Sequence, residues 1–211
     1  MAIIPSDEKV FMVDKRTNTI YGGSAALQAM QQWYTMQDVS DSIRPYKVFT
    51  ALVTQTNGDD PSNQQAGALV IGRSYNIQDA SGNPDFTIVG SPDNEVGTYF
   101  IATGITPDWG NDSATLSYNG AAPVVTVLEN TIGNIWFTYA AVGTYYANSS
   151  NLFINTKTAT FGGYYDADLA IGFRFNNVGY GTSSLIQLAT NDGPPADSYL
   201  QNATIEIRVY N

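Results

Sequence analysis

Between residues 122 and 211, short runs of apolar and polar residues return at a spacing of roughly ten, with Gly or Asn recurring at their boundaries. The runs are 124–129, 134–139, 143–147, 151–156, 159–165, 169–175 and 183–189, with 203–210 last. Punctuation this dense leaves no room for long helices. It fits strands that each bury one face, joined by tight turns, in a β-sandwich or jelly roll. The last run shows the pattern most cleanly: Ile205, Ile207 and Val209 alternate with Glu206 and Arg208. The expected class is therefore mainly β.

The N-terminal part differs. Residues 10–13 and 20–21 read as two short strands about the turn DKRTNT. Gly22, Gly23 and the N-cap candidate Ser24 follow, and then the one convincing helix, about residues 25–42. Ala26, Met30 and Trp33 share a face, with Met36 beside it. Pro45 stops the helix, because a residue before proline is pushed out of the α region. The stripe Ala26, Met30, Trp33, Met36 suits either a core face or an oligomer interface, where Met and large aromatics are common anchors.

Residues 46–56, YKVFTALVTQT, read as a strand, and 56–67 as a loop. Residues 67–118 look like a unit of their own. Strands are expected at 68–71, 73–78, 86–89, 98–102 and 114–118, between turn clusters such as DASGNPD and GSPDNEVG. The expected organisation is an anchoring or oligomerising segment at 1–45, a β-sandwich from 46–66 and 119–211, and an inserted β-module at 67–118. The ends of the insertion should meet, and a short linker should be able to replace it.

The chain has no histidine and no cysteine. These are the usual proton shuttles, nucleophiles and transition-metal ligands. Without cysteine there is no disulfide scaffold, so core area or oligomerisation must supply stability. The net charge of −10 argues against nucleic-acid binding, which needs a basic face. No apolar run approaches the ~20 residues of a membrane span. The apolar run of MAIIPSDEKV is too short for a secretory signal, so export by that route is not expected.

The 19 acids fall mostly in turn clusters, where Asp serves local backbone hydrogen bonds. Glycoside hydrolysis would need two of them held about 5–10 Å apart. Oxygen-only ligands leave Ca²⁺ open, with Asn57, Asp59 and Asp60, or Asp166 and Asp168, as the best runs. Neither has the spacing of an EF-hand, and no cofactor is expected. Gly162 and Gly163 lack a phosphate-loop lysine and read as turn or bulge positions. Trp109 lies in a loop with Pro107 and Gly110. It reads first as a plug at the end of a small β core, and second as a stacking surface for a sugar or protein partner.

The segments PYKVFTALVTQT (45–56), APVVTVLENTIGNIWFTYAAVGTYYA (122–147) and ATIEIRVYN (203–211) resemble a module of virion proteins of tailed phages, crAss-like phages among them. The stretch GRSYNIQDASGNPDFTIVGSPDNEVGTYFIATGITPDW resembles a small β-module of phage fibre and head-decoration proteins. The resemblance implies a non-enzymatic structural protein displayed on the virion, a head fibre or capsid decoration. It also implies homo-oligomerisation, with a trimer favoured, and contact with the major capsid or other virion proteins. The alternative is a tail fibre that recognises host surface glycans.

Overall fold

The computed structural model describes residues 11–14, 19–22, 44–55, 61–111, 113–154, 156–163, 165–166, 171–176, 185–190 and 200–211. The chain divides into two units, Met1–Pro45 and Tyr46–Asn211. In the first, β1 (Phe11–Asp14) and β2 (Thr19–Gly22) form an antiparallel hairpin, with Met12 opposite Tyr21 and Val13 opposite Ile20. The expected helix at 25–42 lies outside the described residues.

Among the described residues, the regular structure of the second unit is β apart from one 3-10 turn. Its strands begin with β3 (Tyr46–Thr54), β4 (Pro61–Gln64), β5 (Ser74–Asp79), β6 (Tyr99–Ile101) and β7 (Thr115–Asn119). They continue with β8 (Val124–Asn130), β9 (Ile135–Ala141), β10 (Thr144–Ser149), β11 (Thr158–Gly163) and β12 (Tyr165–Asp166). Last are β13 (Ile171–Asn176), β14 (Leu185–Thr190) and β15 (Ala203–Tyr210).

Two antiparallel sheets make the sandwich, one in the order β11-β15-β3-β8 and the other β12-β13-β14-β10-β9. Period-two alternation decides what lies between them. Phe49, Ala51 and Val53 of β3 and Ile205, Ile207 and Val209 of β15 face Ile135 and Phe137 of β9, Tyr145 and Ala147 of β10, and Ile186 and Leu188 of β14. Phe49 and Phe137 meet across the sheets with ring centroids 6.1 Å apart.

The third sheet, β4-β7-β5-β6, has its own core of Leu69, Tyr75, Ile77, Phe86, Val89, Phe100, Ala114 and Leu116. It lies within the chain between β3 and β8. Its first and last strands pair, with Pro61 opposite Asn119, so the sheet takes in residues 61–64, which the expected bounds of 67–118 leave to the sandwich. Just outside that pair, Gln55 Nε2 donates to the Ala121 carbonyl at 3.2 Å.

Four expectations of strand and loop are corrected. Residues 61–64 are a strand rather than loop: Pro-Ser-Asn-Gln has no apolar signal, but it occupies the sheet edge, where neither burial nor a full set of donors is required. Residues 68–71 are irregular, because Leu69 alone turns inward and the chain reverses at Ile71 and Gly72. Residues 87–89 form a 3-10 turn capped by Gly90 at φ +104°. Of the expected strand at 151–156, the described residues are irregular, starting from Asn151 at φ +60°.

Candidate binding face

The loops of the inserted module are built by their own side chains. Asp79 Oδ1 accepts the Ser81 N–H at 2.7 Å. Asp85 Oδ1 accepts both the N–H and the hydroxyl of Thr87, at 2.9 and 2.6 Å. Asp93 Oδ1 does the same for the Glu95 N–H and the Thr98 hydroxyl, and Asp108 Oδ1 takes the Gly110 N–H. These carboxylates close turns, the role expected of Asp in such clusters. Among the described residues, no three His, Cys, Asp or Glu side chains come together as a metal site. Asn57, Asp59, Asp60 and Asp168 lie outside the described residues, and Asp166 is in β12.

Hydrogen bonding pulls two of these carboxyls below their ordinary value of 3.8: the Ser81 backbone N–H first for Asp79, and the Thr87 hydroxyl first for Asp85. A depressed carboxyl stabilises the folded loop fully above its unfolded pKa, and that stabilisation is lost as pH falls through the folded one. Acid titration followed by NMR should therefore move the Ser81 and Thr87 amide resonances with midpoints below 3.8. Midpoints at or above that value would show that the turns do not hold in solution.

Trp109 is half-buried. Its ring stands edge-on to Phe86, 5.6 Å away, and its Nε1–H donates to the Gly67 carbonyl at 3.0 Å. It packs against the module's core, which places it as a plug on that core. Gly162 and Gly163 pair with Ile205 and Thr204 inside β11. Ala26, Met30, Trp33 and Met36 lie outside the described residues.

A seam joins the module to the sandwich. The Gly72 carbonyl accepts the Val125 N–H of β8 at 3.0 Å. Two residues on, the buried Ser74 hydroxyl accepts the Phe137 N–H of β9 at 2.8 Å. Both β8 and β9 are end strands of their sheets, so one short segment occupies both open edges. Ile101 of β6 joins the core of the sandwich rather than that of the module.

The seam also brings Tyr99 of β6 onto Trp136 of β9. Their rings stack with centroids 5.1 Å apart and planes within 12°, and the Asn134 amide donates to the Tyr99 carbonyl at 2.6 Å. Tyr99 remains 38% exposed. The stack opens onto the outer face of the five-stranded sheet. There Trp136 stands opposite Asn148, and Tyr146 stands between Thr138 and Gln187. Asn148 Nδ2 donates to Thr138 Oγ1 at 3.0 Å and lies 3.2 Å from the Tyr146 carbonyl, which fixes the amide. All five of these sheet residues are half-buried.

The outer face of the other sheet is occupied by its own side chains. The Arg208 guanidinium lies over the rings of Tyr46 and Phe161, 4.7 and 4.6 Å from their centroids, and is bonded to Glu206. Hydrogen bonds to Tyr210 and then to Glu206 push the guanidinium further up from its already high pKa. Val48 is buried on this same outward side, as the register opposite Arg208 requires.

Trp109 was the aromatic that loop composition singled out, and the exposed stack is elsewhere. Trp136 carries one signal that alternation could have read: between the inward Ile135 and Phe137, it must point out. Its partnership with Tyr99 has no local signature.

No family model matches the sequence, and no curated protein and no solved structure matches it.

Proposed function

We propose that the chain is a non-enzymatic structural protein of a phage virion, a head fibre or capsid decoration. One observation carries the reading. The three segments that resemble phage virion proteins are contiguous in space: β3 pairs with β8 on one side and β15 on the other, and β9 and β10 continue from β8 into the facing sheet. A resemblance that falls on one packed framework is more informative than one scattered along the chain. The remaining segment is a separate module sewn to that framework, an arrangement suited to display. Residues 1–45 serve to anchor or oligomerise the chain, as a homotrimer held to the major capsid or another virion protein.

Immunogold labelling of purified particles with antibody against this chain tests the reading. Label over capsids is the expected result. Label confined to tails replaces the head assignment with the tail one, and unlabelled particles remove the virion assignment. Sedimentation at micromolar concentration should give a trimer mass, and a monomer mass would end the oligomer proposal.

The second reading, a tail fibre that recognises a host surface glycan, is favoured by the stacked Tyr99 and Trp136 beside the amides and hydroxyls of β9, β10 and β14.

A further inference from the structure

We propose that the outer face of the five-stranded sheet binds a neutral polysaccharide, with Tyr99 and Trp136 as the stacking platform and Thr138, Tyr146, Asn148 and Gln187 as its polar bed. The inference rests on the glycan-recognition reading and assigns it a site.

The rings come first. Stacked pairs also occur in the module's core, Tyr75 with Phe100 and Phe86 with Phe100. The pair of Tyr99 and Trp136 differs in exposure: Tyr99 is 38% exposed and Trp136 is half-buried. Stacked in this way, each ring covers one face of the other, and the outer face of the exposed Tyr99 ring, backed by Trp136, is the flat apolar surface that remains. The C–H face of a pyranose ring lies flat on such a surface, while its equatorial hydroxyls project sideways. Neighbouring strands are about 4.8 Å apart and alternate residues on a strand about 6.8 Å apart, so the bed extends over more than one sugar unit.

The polar bed comes second. Hydroxyls need partners that both donate and accept. Amide and hydroxyl side chains provide this, and ionised groups provide half of it. Thr138, Tyr146 and Gln187 form one row across β9, β10 and β14, and Asn148 faces Trp136 in the next. The Asn148 amide is already held by its bond to Thr138, so less order has to be imposed on binding.

Charge selects the ligand class. The six residues of the site carry no charge. Within the strands of this sheet the charged residues are Asp166 of β12 and Arg174 of β13. A bed without charged side chains gives a polyanionic chain no ion pair to offset its loss of water, so a neutral chain is the better fit.

Isothermal titration with hexasaccharides of β-glucan, xylan and mannan tests the proposal, with hexagalacturonate as the acidic comparison and host-cell adsorption run in parallel. The whole chain should bind at least one neutral probe saturably and leave the acidic one unbound. Trp136→Ala should weaken binding about tenfold or more while the chain still melts cooperatively, Trp136→Tyr should largely restore it, and Trp109→Phe should leave it unaltered. Should Trp136→Ala fail to fold, Tyr146→Ala on the open face carries the same expectation. Neutral-probe binding that survives both substitutions overturns the site and leaves the glycan reading standing. Adsorption to cells with binding only to the acidic probe overturns the neutral class. No binding to any probe or to cells overturns both.

Discussion

A chain from which residues 61–119 have been excised, with the cut ends joined by a short Gly/Ser link, is expected to aggregate. Joining the ends is no obstacle, because Pro61 and Asn119 are already paired. The loss is on the sandwich side. Ile101 leaves its core, and truncating a buried aliphatic side chain to alanine alone costs about 2–5 kcal/mol. The Val125 and Phe137 N–H groups lose their acceptors, at about 1–3 kcal/mol for each that stays buried. Against a total stability of about 5–15 kcal/mol these are large terms. Two end strands are then left open, and an open, partly apolar edge invites pairing with another copy. Size-exclusion chromatography and urea melts of the excised chain are the measurement. A monodisperse, cooperatively melting product would show that the module is merely carried. The sequence invites that simpler view, because continuity of the framework segments suggests a dispensable insertion and says nothing of edges.

Gly72→Ala should cost about 3–5 kcal/mol, a loss of about 10 °C in melting temperature for a domain of this size. Gly72 has φ +82°, and an added Cβ would stand 2.1 Å from the Val125 carbonyl oxygen. That neighbour is strand backbone, which cannot step aside as a flexible side-chain tip could. The loop would have to lift from β8, breaking the bond to the Val125 N–H and straining the 2.8 Å bond from the Gly72 N–H to the Ala102 carbonyl. Gly97 is the control: its φ is +92°, but an added Cβ would meet nothing within 4 Å. Gly97→Ala should show the left-handed strain alone, about 1 kcal/mol. Thermal melts of the two variants separate conformational strain from close approach. Equal losses would mean that the seam contributes little.

The framework was legible where burial and alternation coincide. Ile205, Ile207 and Val209 face the core as their spacing requires, and β9, β10 and β14 fall within two residues of their expected starts. Expectation failed where pairing rather than burial makes a strand. Residues 61–64 have no apolar residue except Pro61, yet β7 takes them as its edge partner. It also failed where apolar content served a turn, since Val89 is buried from a 3-10 turn and not from a strand. The candidate site was legible only in part. Tyr99 and Trp136 are brought together by the seam, a contact between segments whose local patterns do not refer to each other. Trp109, conspicuous in the sequence, is half-buried against the module's core with its N–H bonded to Gly67.

The position of β15 between β3 and β11 bears on how the chain emerges from the ribosome. The module's strands are contiguous in sequence, so it can close as soon as β7 is free of the exit tunnel. The sandwich cannot. β3 is made early, and its long partner arrives much later; the side-chain bond from Thr54 to Asn202 spans 148 residues. At about 5–20 residues per second, β3 waits on the order of ten seconds for β15. During that time β8 can pair with one edge of β3, and β9 and β10 can cover its apolar face, so the edge that β15 takes is the part left waiting. An unpaired strand edge of this length invites pairing with another copy, so release of the chain before residue 203 would leave its most adhesive form.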